Sequence, residues 1–213
     1  LRPIEFKDNK LILVDQRKLP HEEVYLEYTD LEGTFQSIKE MVVRGAPCIG
    51  FTAIYGMALW IRNNPNFQLE DIDKAAIYLK SARPTAVNLA FEIERVMDFV
   101  KKNLSEKDSL YEKIIEFGDL QLKEAEIKNR AMASFAEQDL DRIIGKEKYQ
   151  IQTHCNTGIL ACGTLGTALG VIQHLGEKKR IKNVWVDETR PYLQGTRLTA
   201  FELSRLNIQH EIV

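Results

Sequence analysis

The chain has 213 residues, 44% of them hydrophobic and 28% charged, with a formal net charge of -2. That length and apolar share can bury a sizeable core and predict a globular chain in two structural parts. The near-neutral balance, without long runs of one sign, gives no reason to expect nucleic acid or an anionic membrane as partner, and no apolar run is long enough to span a bilayer.

Cys48, Cys155 and Cys162 are too few for a disulfide framework, and no charged-then-apolar leader opens the chain, so a reducing cytoplasm is the expected compartment. Leu1 stands where an initiator Met would, and His210 to Val213 reads as a strand with no turn after it. The sequence is therefore expected to be a truncated piece of a longer protein.

In chain order, Ile4 to Phe6, Leu11 to Val14 and Val24 to Tyr28 predict a small antiparallel sheet, with Asp8-Asn9 and Lys18 to His21 as turns. Asp30 is placed to cap a helix that carries Leu31, Phe35 and Ile38 on one face. Arg44-Gly45-Ala46-Pro47 opens the next helix. Gly45 and Ala46 keep bulk away from its start, Pro47 suits the first turn, and Ala53 to Ile61 continues as a buried helix. After the break at Asn63 to Asn66, a helix runs from about Asp71 to Lys80. Pro84 then disfavours helix at Arg83, and Thr85 is a candidate cap for the helix of Leu89, Ile93, Val96 and Val100. Each of these two helix entries carries an arginine.

Leu110 to Ile144 reads as one long or two consecutive helices that end at Gly145. Beyond it the pattern changes to strand, helix, strand, helix, strand: Tyr149 to His154, Thr164 to Leu175, Asn183 to Asp187, Gln194 to Leu206, Gln209 to Val213. This predicts the first part of a Rossmann-like parallel sheet with helices on both faces, and a domain boundary between 1–145 and 146–213.

The chemistry concentrates in Thr153-His154-Cys155-Asn156-Thr157-Gly158. A thiol, an imidazole, an amide and a hydroxyl fall at the end of a strand, where open α/β sheets bind ligands, and the helix that follows offers N–H groups to an anion. A lone cysteine is commonly an inert core residue. The strand-end position beside a helix start favours a reactive thiol for Cys155, while Cys48 and Cys162 read as core and His154 as structural. Gly163, Gly166 and Gly170 do not match the dinucleotide fingerprint, and the cysteine spacing is not that of a zinc site, so neither cofactor nor metal is expected. Asp187 to Pro191 reads as a charged loop at the same sheet edge. Gln194-Gly195-Thr196-Arg197 opens the next helix, where free N–H groups could take a phosphate.

Five segments together, Val43 to Pro47, Ala82 to Leu89, Thr153 to Gly158, Gly166 to Gly170 and Glu188 to Ala200, resemble the methylthioribose-1-phosphate isomerases. The resemblance implies a homodimer that acts on a small sugar phosphate in methionine salvage, converting 5-methylthioribose 1-phosphate to 5-methylthioribulose 1-phosphate without metal or nucleotide. It implies Cys155 as the catalytic cysteine and Arg44, Gly45, Ala46, Arg83 and Gln194 as phosphate- or substrate-binding residues. It also implies a second catalytic residue, an Asp, just after the strand that closes at Val213. The alternatives are a ribose-1,5-bisphosphate isomerase, which needs a second phosphate pocket, and a non-catalytic regulatory subunit related to the initiation-factor exchange complex.

Overall fold

The computed structural model describes residues 1–145 and 148–213. The chain is α/β and falls into two compact units, one formed by residues 2–17 and 24–122, the other by residue 1, residues 18–23 and residues 123–213.

The first unit opens with strands β1 (Ile4–Lys7), β2 (Lys10–Val14) and β3 (Tyr25–Tyr28), antiparallel in the order β1-β2-β3. Asp8 and Asn9 both take positive φ, 51° and 60°, between Lys7 and its partner Lys10. That is the backbone a two-residue hairpin loop demands, and Asn and Asp adopt it more readily than other non-glycine residues. Helix α1 (Leu31–Lys39) starts at Asp30, whose carboxylate accepts the Gly33 N–H at 2.7 Å. Helix α2 (Ala46–Asn63) is buried on every side from Cys48 to Leu59, so it forms the centre of the unit. Helices α3 (Leu69–Lys80) and α4 (Val87–Lys102) pack against it. The cap of α4 differs from expectation: it is Ala86, with no side-chain bond, because the chain makes one more turn after Pro84, closed by Ala86 N–H to Arg83 O. A short 3-10 turn over Leu104–Ser109 leads into α5 (Leu110–Ile143), a single 34-residue helix.

The division between the compact units falls inside α5, between Leu122 and Lys123. The sequence period changes later, after Gly145, next to residues 146–147, which lie outside the described ones. The two boundaries mark different things: where packing clusters, and where the second sheet begins.

In the second unit, β4 (Tyr149–His154), β5 (Ile181–Asp187) and β6 (His210–Ile212) form a parallel sheet in the order β4-β5-β6. Between β4 and β5 lie a four-residue helix, α6 (Ile159–Cys162), and α7 (Ala168–Glu177). Between β5 and β6 the chain winds as a wide π-type turn over Gly195–Thr199 and then as α8 (Ala200–Arg205). Val184 and Val186, two apart on one face of β5, close a core with Leu169 and Ile172 of α7, Leu203 of α8 and Ile208. His154 pairs with Asp187 at the carboxyl ends of β4 and β5. Cys155 and Glu188 are therefore the first residues beyond two adjacent strand ends.

Candidate active site

Cys155 lies outside the strand. It is partly buried, with φ of 62°, in the left-handed region that a side chain with a Cβ seldom occupies. The in-strand alternation that would set Cys155 opposite His154 does not apply, since the chain has already turned. The His154 side chain is two-thirds exposed, with Nδ1 3.6 Å from Asp187 Oδ2. Gln152 donates to the same carboxylate at 2.8 and 3.0 Å. Cys48 and Cys162 are buried, as the sequence suggests, and burial pushes the Cys162 thiol up.

The structure corrects the anion-binding reading of this turn. The N–H groups of Ile159 and Leu160, at the start of α6, donate to the chain's own Glu202, at 2.8 and 3.3 Å. Asn156 Nδ2 donates to the same carboxylate at 2.9 Å and to Thr199 Oγ1 at 3.1 Å. The Leu169 N–H, in the first turn of α7, goes to Thr157 Oγ1 at 3.1 Å. An internal carboxylate thus occupies the place that the sequence offers to an external anion. Burial pushes the Glu202 carboxyl up, while the bonds from Asn156, Ile159 and Leu160 pull it back towards ionisation.

The same happens at the next helix start. Glu188 accepts the N–H of Gly195 at 2.8 Å and of Thr196 at 2.9 Å, together with the Thr196 hydroxyl. The expected free N–H groups at Gln194 to Arg197 are therefore not free. Gln194 itself binds Thr189, its Oε1 accepting the Thr189 hydroxyl and its N–H donating to Thr189 Oγ1 at 3.2 Å.

The remaining candidates belong to the first unit. Arg44 is 7% exposed and donates from Nη2 to Gln16 O at 3.0 Å. Gly45 caps α2 with φ of 88°, a conformation open to glycine, and Ala46 with Pro47 follows without a side-chain cap bond. Arg83 is partly buried and lines a surface hollow with Ile77, Lys80 and Pro84. Cys155 and Gln194 lie within one compact unit, and Arg44, Gly45, Ala46 and Arg83 within the other. Among the described residues no group of three or more His, Cys, Asp and Glu is placed to hold a metal ion, and no helix is long and apolar enough to cross a membrane.

The bonds that Thr199 and Glu202 make to the Cys155 turn are what sequence reasoning misses. One signal was present for Glu202. It falls four residues after Leu198 and next to Leu203, so a charge interrupts the apolar stripe of its helix.

Residues 42–213 match the initiation factor 2 subunit family. The chain is 45% identical to the methylthioribose-1-phosphate isomerase of Aquifex aeolicus (strain VF5) and 41% identical to that of Sulfurihydrogenibium sp. (strain YO3AOP1), covering 100% of itself each time but 43% and 59% of those relatives. Among solved structures it resembles 5-methylthioribose 1-phosphate isomerase from Pyrococcus horikoshii OT3, with TM-score 0.87 and 32% identity, over 100% of this chain and 59% of that one. It also resembles the translation initiation factor eIF-2B, subunit delta, from A. fulgidus, with TM-score 0.84 and 34% identity, over 100% of this chain and 62% of that one. The chain spans about half the length of the relatives it matches. With four-fifths of its residues inside the family pattern and both halves of its α/β fold reproduced in these neighbours, the chain belongs to the initiation factor 2 subunit family and, within it, resembles the methylthioribose-1-phosphate isomerases.

Proposed function

We propose that the chain is part of an aldose-ketose isomerase that converts 5-methylthioribose 1-phosphate to 5-methylthioribulose 1-phosphate. The observation that carries this reading is Cys155, a partly buried thiol held in left-handed conformation just beyond the carboxyl end of β4, in a chain whose named relatives carry that activity. In this substrate the anomeric carbon bears the phosphate, so no free aldehyde exists. The ring oxygen must gain a proton as the ring opens, the C2 hydroxyl must lose one as it becomes a ketone, and one hydrogen must move from C2 to C1.

Such a reaction needs an acid and a base within reach of the reacting atoms. Cys155 is one of the two groups. Arg44 and Arg83, with Gly45 and Ala46, are phosphate-binding residues, because a guanidinium fork matches a phosphate bidentately, and the Gln194 amide of the other unit is a separate substrate-binding candidate. That binding energy positions the sugar carbons. Residues 146–213 serve as the first part of a Rossmann-like catalytic domain, and the protein works as a homodimer. Its three cysteines, too few for a disulfide framework, suit a reducing cytoplasm.

Phosphorus NMR of the full-length protein with 5-methylthioribose 1-phosphate tests the reading. The phosphate ester stays at C1 while C2 becomes a ketone, so the phosphorus resonance shifts as product forms. Binding of the sugar phosphate without turnover would instead favour a regulatory subunit.

A further inference from the structure

Cys155 keeps an unfavourable backbone conformation, and conformations of that kind persist only where the surroundings over-determine them. Two side chains of one helical segment supply the constraint. Thr199, 1% exposed, donates its hydroxyl to the Cys155 carbonyl at 2.5 Å and accepts from Asn156 Nδ2 at 3.1 Å. Three residues on, Glu202, 5% exposed, accepts from Asn156 Nδ2, Ile159 N–H and Leu160 N–H. Positions i and i+3 share a helix face, so both reach the same turn. The thiol-bearing residue is thus gripped at its own carbonyl and, among the next five residues, at Asn156, Ile159 and Leu160.

Two further facts fit a built device. The orientation of the Asn156 amide is fixed chemically, because only its NH2 can face a carboxylate and a hydroxyl acceptor together. A Cβ at Gly158 would meet Glu202 Oε2 at 2.0 Å, so the carboxylate sits where only a glycine lets it approach.

We infer that Thr199 and Glu202 are positioning residues that clamp the Cys155 turn and thereby set the location and reactivity of the thiol. The inference rests on the isomerase reading for its catalytic consequence, and on geometry alone for its effect on the thiol. Displacement of a reacting group by about 1 Å costs on the order of 100-fold in rate. Release of the clamp should therefore lower kcat by roughly 10- to 100-fold with KM held within about twofold, the pattern of an effect confined to the reacting group.

The test uses the full-length protein and its Thr199→Val, Thr199→Ser and Glu202→Gln variants. Alkylation of Cys155 by iodoacetamide is followed against pH by mass of the Cys155 peptide, alongside kcat, KM and thermal melts. Thr199→Val keeps the shape but loses the hydroxyl, and it should change the alkylation rate or its pH midpoint and depress kcat. Thr199→Ser keeps the hydroxyl and should recover both. Glu202→Gln should act as Thr199→Val does, and if it fails to fold, the threonine pair carries the test. A Thr199→Val protein that alkylates and turns over like wild type, whatever its melting point, overturns the clamp. If the wild-type protein shows no isomerase activity but the alkylation contrast between Val and Ser stands, the clamp survives and the isomerase reading fails.

Discussion

The Glu188 carboxylate receives the backbone N–H of Gly195, seven positions on, at 2.8 Å, and so closes the start of the helical segment that carries Thr199 and Glu202. Burial acts to raise this carboxyl, and the bonds from Thr196, Thr189 and Gly195 outweigh it, leaving it below the usual carboxylate range. A depressed folded-state value means that the stabilisation is present above the unfolded value and is lost as pH falls through the folded one. Glu188→Gln should therefore cost about 1 kcal/mol at pH 7, the usual worth of a helix cap, with the two proteins converging in acid. Urea midpoints at several pH values check this, and equal midpoints at pH 7 would remove the cap from the account.

A second carboxylate gives a sharper pH signature. Glu137 of α5 meets Lys178 Nζ at 2.5 Å and His174 Nε2 at 2.8 Å, and these two bonds hold it down to about 2. Its contribution is complete above the unfolded value of about 4.3 and fades as the pH drops towards 2. Solvent reaches Lys178, so screening limits the worth of the group to about 1 kcal/mol. Acid denaturation of Glu137→Gln beside wild type should show a gap at pH 6 that closes near pH 2. A gap that persists at pH 2 would assign the effect to packing and not to charge.

Gly158→Ala should destabilise the protein by about 1–3 kcal/mol, since its methyl group would fall on the Glu202 carboxylate and neither the turn nor the buried helix can yield freely. The measurement is a thermal or urea melt. A neutral substitution would mean that the carboxylate can swing away, and that its bonds to Ile159 and Leu160 are dispensable.

For the phosphate anchor, Arg44→Ala and Arg83→Ala should each weaken sugar-phosphate binding by about 2–5 kcal/mol, the cost of removing one partner of a buried charge pair. The two should differ in stability. Arg44 is buried and holds the Gln16 carbonyl, so its loss should also lower the melting temperature, whereas the partly exposed Arg83 should leave it nearly unchanged. Calorimetric titration with unaltered affinity in both variants would remove the anchoring role.

Cys155→Ser should cut turnover by on the order of 10²–10⁴, the range for loss of a general acid or base, because a serine hydroxyl has a far higher pKa than a thiol. Melting temperature and substrate affinity should change little, since the clamp bonds the Cys155 carbonyl and not its side chain. Near-normal turnover would falsify the acid–base role, and a large melting shift with a proportionate loss of activity would make Cys155 a packing residue.

Much of the molecule could be read directly from residues close together in the chain. The Asp8-Asn9 hairpin, the Asp30 cap and the strand ending beside Cys155 follow from local rules: which residues tolerate positive φ, which side chains reach an N–H three positions on, and where an apolar run stops. The same local chemistry marked two helix starts as places where backbone N–H groups lack partners. What fills them was settled only in three dimensions. Asn156 and Glu202 are 46 residues apart, and nothing in the turn itself shows that a carboxylate from a later helix will arrive there. Sequence identifies an orphaned donor, while packing selects its acceptor, because the partner must be carried in by an element whose position depends on the shared core of Leu169, Val184, Val186 and Leu203. The left-handed backbone of Cys155 has the same origin: local preference opposes it, and the tertiary bonds from Thr199 and through Asn156 favour it.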